Sequence, residues 1–164
     1  MIYLALGANL PAVAGAPEAT MRRVLSLLPT RGVAVEAASP FYRSPAWPNP
    51  QEPAFVNAVA RVRTKLGPAE LMRLLLQVET EFGRRRGIKW APRTLDLDIV
   101  DYGGLVTDAA HLMLPHPQMQ ERAFVLRPLA DIAPDWRYPL TGQSVSELLK
   151  IVGEEGLERL EAAA

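Results

Sequence analysis

Apolar residues recur along this chain with two different periods, which predict interleaved strands and helices. Period-two alternation or short apolar runs, both typical of strands, occur at 2–6, 33–37 with 41–43, 55–62 and 94–102. Helical spacing of apolar residues begins after Pro17 and Pro68, and each proline suits the first position of a helix. A last helix is predicted from Ser144, where Ser144 and Glu147 form a capping-box pattern. We therefore expect an α+β fold with a mainly antiparallel sheet and helices packed on it.

Three further predictions concern the segments outside these elements. Gly103-Gly104 is a hairpin signal, so Leu105-Val106 is expected to return as a strand beside 94–102. Pro128 is expected to divide residues 118–129 into short helical pieces. Residues 154–164 are charged and rich in alanine, which favours a fraying terminal helix.

The segment 44–53 is predicted to be a long loop, because four prolines in ten residues exclude a helix or a sheet interior. It exposes one candidate anchor, Trp47. Loops of this length in compact domains often carry function.

Composition narrows the class of protein. A length of 164 residues is sufficient for one domain with a full core, so we expect a single domain over residues 1–164. The absence of cysteine excludes disulfides and thiolate metal sites. A net charge of zero argues against bulk electrostatic binding to nucleic acid or membrane, and no segment has the length of a membrane span. A cytoplasmic location is the default prediction.

A basic segment from Arg84 to Arg93 is the first candidate for chemistry. It holds five cations and no acid, and Gly87, Trp90 and Pro92 interrupt it, so we expect an exposed loop. Arginine presents a bidentate fork to phosphate. A solvated surface is the plain alternative, and the same cluster suits a site for single-stranded nucleic acid.

Two carboxylates follow directly on a predicted strand. Asp96 and Asp98 alternate with leucines, so they project side by side from one face. Adjacent like charges repel, and a divalent cation such as Mg²⁺ would offset that repulsion. Solvent-facing acids are an equally supported interpretation at this stage. By alternation Asp101 lies on the same face as the apolar residues of this strand, but it is close to a turn and is interpreted as solvated.

Other phosphate and catalytic motifs are missing from the sequence. The chain contains neither G-x-x-x-x-G-K-[ST] nor G-x-G-x-x-G, so any nucleotide must bind by another geometry. His116 lies between prolines, and a lone histidine of this kind is more often structural.

Four motifs together carry a family resemblance. The run from Arg84 to Ile99 closely resembles the signature of 6-hydroxymethyl-7,8-dihydropterin pyrophosphokinase, a family of folate-biosynthesis enzymes. The other motifs resemble the family in order and spacing over nearly the whole chain; they are Leu6–Leu10, Phe41–Pro45 with Phe55–Ala58, and Leu114–Pro117 with Arg122–Leu129. Ala91 stands where the family usually has glycine.

The resemblance implies a transferase, namely an ATP-dependent pyrophosphokinase. It would move a pyrophosphoryl group from MgATP to the hydroxymethyl oxygen of the pterin and release AMP. A ferredoxin-like core with long mobile catalytic loops is implied, as are two Mg²⁺ ions held by Asp96 and Asp98. The implied catalytic residues are Arg84, Arg93, Asp96 and Asp98.

The resemblance also implies two substrate subsites. The implied ATP-binding residues are Gln77, Arg84, Arg86, Lys89, Trp90, Arg93, Ile99, His116 and Arg122. The implied pterin-binding residues are Ser44, Pro45, Trp47, Phe55, Asn57, Trp90, Asp96 and Phe124. The expected partners are these two small molecules, with no nucleic acid and no membrane, in a monomer or weak dimer. The alternative hypothesis is a ferredoxin-like module that binds nucleotide or single-stranded nucleic acid without catalysis.

Overall fold

The structure is a computed structural model that describes residues 1–9, 15–46, 51, 53–83, 95–109 and 111–160. In these ranges the strands are β1 (Ile2–Ala8), β2 (Val33–Ala38), β3 (Tyr42–Ser44), β4 (Phe55–Thr64), β5 (Asp96–Tyr102), β6 (Thr107–Ala109), β7 (Leu112–Leu114) and β8 (Glu158–Arg159). The α-helices are α1 (Pro17–Leu27), α2 (Pro68–Glu81), α3 (Ala123–Ile132) and α4 (Val145–Val152). Short 3₁₀ helices cover Leu28–Arg31 and Met119–Glu121.

One antiparallel sheet of six strands forms the centre of the fold. Its strand order is β5-β1-β4-β3-β8, and β2 also pairs with β4. The chain order β1-α1-β2-β4-α2-β5 with spatial order β5-β1-β4-β2 is the ferredoxin-like arrangement. The α+β prediction with a mainly antiparallel sheet is therefore confirmed.

The sheet separates two apolar clusters. Helices α1 and α2 pack Met21, Leu71 and Leu75 against Leu4 and Leu6 on one face; Leu95, Leu97 and Ile99 join the same cluster. On the other face, α3 and α4 contribute to a cluster that includes Tyr3, Val59 and Val100. Because strand side chains alternate, Asp96 and Asp98 lie on the α3 side of β5.

Helix ends follow the sequence signals. Ser144 Oγ accepts a hydrogen bond from the Glu147 backbone N–H at 3.1 Å, which confirms the predicted cap of α4. Pro68 occupies the start of α2, and Gly83 follows that helix with a φ of +86°, a conformation that glycine adopts without steric cost. No helix in the described part of the chain is long and apolar enough to cross a bilayer.

The predicted return strand at Leu105-Val106 is wrong. Both residues are exposed, at 43% and 54%, and the nearby hairpin is instead formed by β6 and β7 in a separate two-stranded sheet. The outer edge of β5 is already used by other groups. The Leu97 N–H donates to a side chain of α2, and the Val100 carbonyl accepts from the His116 N–H.

Two other expectations are corrected. Helix α3 continues through Pro128, although proline cannot donate the usual hydrogen bond to the carbonyl four residues earlier. The expected terminal helix is wrong over Glu158–Arg159, because these residues pair as β8 with β3 at the open edge of the sheet. Residues 161–164 lie outside the described ranges.

Candidate active site

A row of residues across four strands forms the floor of the candidate site. Strand register places Asp96 opposite Gly7, Gly7 opposite Asn57, and Asn57 opposite Tyr42. Above this floor lies a cleft that is open to solvent. Polar and aromatic residues from four parts of the chain line it, namely Asn57, Asp96, Asp98, His116, Arg122 and Phe124.

A buried amide occupies one end of the cleft. Asn57 is 5% exposed, and its Nδ2 donates to Ser44 Oγ at 2.9 Å. Since Nδ2 is engaged on the β3 side, the amide is fixed in orientation. Its Oδ1 lies only 3.2 Å from the position that a Cβ on Gly7 would occupy. Because glycine has no Cβ, position 7 leaves room for the Asn57 amide between β4 and the strand that carries Asp96.

An aromatic ring at the start of α3 lines the same cleft. The guanidinium of Arg122 lies 5.6 Å from the centroid of the Phe124 ring, within the range of a cation–π contact. Arg122 also donates to the side chain of Gln118. These contacts hold a positive charge and a flat apolar surface side by side at the cleft.

Two half-buried carboxylates, Asp96 and Asp98, occupy the other end. Asp96 is opposite Gly7 and Asp98 is opposite Ala5, so the two carboxylates are neighbours on the same face of β5. In the described part of the chain there is no cluster of three or more carboxylate or imidazole groups able to hold a metal ion alone. Mg²⁺ is commonly held by one or two carboxylates together with water and substrate phosphates. The two aspartates therefore fit an ion that arrives with a phosphate ligand.

His116 stands next to this carboxylate pair as a neutral ring. Burial lowers its pKa to about 4, the positive charge of Arg122 acts in the same direction, and Asp96 acts in the opposite direction. Its Nδ1 accepts from the Gln118 N–H at 3.2 Å, so the ring proton sits on Nε2. Nε2 lies 3.8 Å from Asp98 Oδ2. At neutral pH this approach is a contact of a ring dipole with a carboxylate, because the imidazole is uncharged.

Two buried acids near the site were not identified from the sequence. Asp101, interpreted above as solvated, is 5% exposed and accepts from Trp136 Nε1 at 2.8 Å and from the Gly104 N–H at 2.9 Å. The interpretation of Asp101 as solvated is therefore wrong. An irregularity in the β1–β5 register between Tyr3 and Leu4 also changes the parity of β5, which puts the Asp101 side chain on the face of Trp136.

The second acid, Glu79 of α2, is 1% exposed and accepts from the Leu97 N–H at 2.7 Å. Its sequence signal was a charge within the apolar stripe of α2, one turn after Leu75.

The predicted residues divide into four groups. The cleft brings together Asn57, Asp96, Asp98, His116, Arg122 and Phe124. Near it lie Ser44, bonded to Asn57, the half-buried Phe55 and the exposed Pro45; Gln77 is exposed on α2, and the Ile99 side chain is buried on the opposite face. The residues that lie outside the described ranges are Trp47, Arg84, Arg86, Lys89, Trp90 and Arg93.

Comparison with known proteins gives a consistent result. Residues 3–134 match the family described as 7,8-dihydro-6-hydroxymethylpterin-pyrophosphokinase. A 2-amino-4-hydroxy-6-hydroxymethyldihydropteridine pyrophosphokinase of Pseudomonas aeruginosa is 45% identical over 162 residues, which are 99% of this chain and 98% of that protein. The protein of the same name from Synechocystis sp. is 48% identical over 121 residues, which are 74% of this chain and 62% of that protein.

Solved structures support the fold. A crystal structure of an HPPK-DHPS protein in complex with substrates has a TM-score of 0.74 at 11% identity, covering 98% of this chain and 48% of that one. The wild-type HPPK-DHPS of Plasmodium falciparum has a TM-score of 0.70 at 11% identity, with 98% and 44% covered. The chain thus spans about half the length of these solved proteins.

Proposed function

The chain belongs to the 7,8-dihydro-6-hydroxymethylpterin-pyrophosphokinase family, and we propose that it transfers pyrophosphate from ATP to hydroxymethyldihydropterin in folate synthesis. The products are AMP and the pterin diphosphate. The observation that carries this proposal is that a buried amide, an aromatic ring and two carboxylates line the same cleft. Such an arrangement suits a flat heterocycle lying next to a polyphosphate.

The pterin occupies the amide end. Asn57 is fixed by Ser44, and its remaining hydrogen-bonding capacity matches the polar edge of a pterin ring. Phe124 offers a ring face for stacking, and Phe55 lies on the same side of β4 as Asn57 by strand alternation. Ser44, Pro45 and Trp47 complete this subsite in the proposal.

ATP occupies the carboxylate end, where Asp96 and Asp98 would hold two Mg²⁺ ions. Bound there, the ions would supply positive charge to the phosphate oxygens and would polarise the group that is transferred. The aspartates also orient the hydroxymethyl oxygen of the acceptor. The neutral His116 ring donates a hydrogen bond from Nε2–H to a phosphate oxygen. Arg122 places a positive charge beside the phosphates.

The chemistry requires positioning more than a reactive side chain. Pyrophosphoryl transfer, like phosphoryl transfer, is promoted mainly by alignment of the reacting groups and by stabilisation of developing charge. The described cleft accordingly presents carboxylates, an arginine and an imidazole. The assignments of Arg84, Arg86, Lys89, Trp90 and Arg93 to phosphate binding and closure stay predictions from the sequence.

Two further assignments concern the nucleoside. The Ile99 side chain is buried in the core, so its role in ATP binding would be through backbone groups at the outer edge of β5. Gln77 projects from the exposed side of α2. A single domain, a cytoplasmic location and a monomeric or weakly dimeric state also stay predictions.

A product assay tests the function. Purified protein is mixed with MgATP and hydroxymethyldihydropterin, and AMP is measured by chromatography. Release of ADP instead would indicate simple phosphoryl transfer. ATP binding without turnover would leave only the alternative of a binding module.

Replacing the carboxylates tests the metal assignment. Asp96→Ala and Asp98→Ala should each lower turnover by at least about 100-fold, because loss of a metal ligand removes several kcal/mol of transition-state stabilisation. The exposed Asp108→Ala is the matched control and should retain activity. Circular dichroism and thermal melting show that the variants are folded. Near-normal turnover in both site variants would remove the metal-ligand assignment.

A further inference from the structure

Glu79 is a buried carboxylate on the face of the sheet that α1 and α2 cover. It is 1% exposed, on the face of α2 that packs Leu75 and Val78 against the sheet. Placing a carboxylate among apolar side chains has a substantial desolvation cost unless hydrogen bonds offset it. The position of this acid therefore requires a physical reason.

One hydrogen bond of Glu79 reaches the backbone between the two candidate site carboxylates. Glu79 Oε2 accepts from the Leu97 N–H at 2.7 Å, and Leu97 separates Asp96 from Asp98. Strand β5 is an edge strand that pairs on its inner side with β1. Among the described residues no strand pairs with its outward N–H groups, and Glu79 supplies an acceptor to one of them.

This bond lies where the ladder of β5 begins. The register with β1 starts at the pair of Asp96 and Gly7, and Leu97 is the next residue. The ends of a ladder have fewer neighbours than its middle, so a bond on the second side of the strand restrains it most effectively there. Any displacement of Leu97 passes directly to both flanking aspartates, because consecutive Cα atoms are held about 3.8 Å apart.

We propose that Glu79 is a positioning residue, which fixes β5 at Leu97 and thereby holds Asp96 and Asp98 in the alignment that the metal-bound polyphosphate requires. This inference rests on the proposed function. Misplacement of reacting groups by about 1 Å can reduce a rate by about a hundred-fold. In this proposal the hydrogen bond from the Leu97 N–H to Glu79 is the contact that positions the strand.

Two substitutions separate reach from charge. Glu79→Gln retains the length and an acceptor oxygen but removes the charge. Glu79→Asp retains the charge but is shorter by one methylene, so it cannot maintain the 2.7 Å bond without movement of the backbone. Glu81→Asp on the same helix is the control, because Glu81 is exposed and pairs with Arg31 at 2.9 Å.

The first readout is independent of turnover. Hydrogen exchange of the Leu97 amide, followed by NMR in the ligand-free protein, should be slow in the wild type and in Glu79→Gln. It should be at least about tenfold faster in Glu79→Asp, with shifted amide resonances at Asp96 and Asp98. Equal protection of the Leu97 amide in all three proteins would overturn the proposal.

The second readout is AMP formation at saturating substrates as a function of Mg²⁺ concentration. Glu79→Gln should stay within about threefold of the wild type, whereas Glu79→Asp should lose about 10- to 100-fold in kcat and need more Mg²⁺. A purely structural role would lower the melting temperature and leave kcat of the folded protein unchanged. If Glu79→Gln were the more impaired variant, charge would be the cause and the proposal would be wrong. Failure of the wild type to form AMP would refute the proposed function, while the exchange experiment would still test the restraint on β5.

Discussion

Replacement of Gly7 by alanine should weaken pterin binding selectively. In the structure, a Cβ at position 7 would lie 3.2 Å from Asn57 Oδ1 and 3.8 Å from the Val56 carbonyl oxygen. No other described residue, apart from the chain neighbours of Gly7, has a heavy atom within 4 Å of it, although Asp96 is the cross-strand partner on the other side. The added methyl group therefore crowds the amide and leaves the carboxylates untouched.

The magnitude follows from how little the amide can move. Asn57 is 5% exposed, and its Nδ2 is bonded to Ser44 Oγ at 2.9 Å, so a displacement of a few tenths of an ångström either stretches that bond or strains the side-chain torsion. An off-rotamer side chain costs about 0.5–1.5 kcal/mol. Since about 1.4 kcal/mol is a factor of ten in affinity, pterin binding should weaken by about 2- to 13-fold.

The assay compares both substrates in the same variant. Calorimetric titration should give a higher Kd for the pterin and an unchanged Kd for a non-reactive MgATP analogue. Alanine is favoured over glycine within a strand by about 0.5–1 kcal/mol, so this gain should offset the crowding and keep the melting temperature near that of the wild type.

Gly67→Ala is the matched control for the loss of a glycine. Its Cβ would meet Glu70 Oε1 at 3.5 Å, an ordinary contact at the start of α2. It should not change the Kd of either substrate. An unchanged pterin Kd in Gly7→Ala, or a loss confined to the ATP analogue, would refute the assignment of Asn57 to the pterin.

Two stability predictions concern buried polar contacts beside the site. Asp101→Asn should lower the unfolding free energy by about 1–3 kcal/mol in urea titrations, because both oxygens of Asp101 accept hydrogen bonds and an amide turns an N–H₂ towards one of the donors. The exposed Asp108→Asn should change stability by less than about 0.5 kcal/mol, and an equally small effect at Asp101 would contradict the argument. Tyr42→Phe removes a hydrogen bond to the Asp131 carboxylate and should cost about 1.5–3 kcal/mol at pH 8. Burial, and next the bond to Asp131, raise the pKa of Tyr42. The contribution of this hydroxyl to the free energy of unfolding is therefore complete below about pH 10, and it is lost as the pH rises through the folded-state pKa. The difference from the Phe variant should shrink above pH 10, and a constant or growing difference would show that this linkage is wrong.

Local patterns in the sequence are sufficient to place several residues of the candidate site. Strict alternation in β5 placed Asp96 and Asp98 together on one face, and the structure has both carboxylates at the cleft. This succeeded because a strand has a fixed period of two, so the face of a residue follows from its position alone. The same reasoning failed at Asp101, where the irregular register with β1 changes the parity, and no local signal reveals it.

Predictions of which strands pair at the edges of the sheet were wrong in two places. Gly103-Gly104 gave a turn, but the edge of β5 that a return strand would have used is engaged by Glu79 and by His116. Strand β8 likewise forms where an open edge at β3 is available to the end of the chain. Which edge is free depends on segments that are distant in sequence, so composition near Leu105 or Glu158 cannot decide it.

The sequence alone determined the fold class, the caps of the helices, the paired aspartates and the family resemblance, because each depends on residue type and on spacing along the chain. Only the tertiary structure decided that Asn57, Gly7 and Asp96 form one row, that His116 is a neutral neighbour of Asp98, and that Glu79 reaches Leu97. These relations arise from strand register and from burial. Both are set by the packing of segments far apart in the chain, and no local period encodes them.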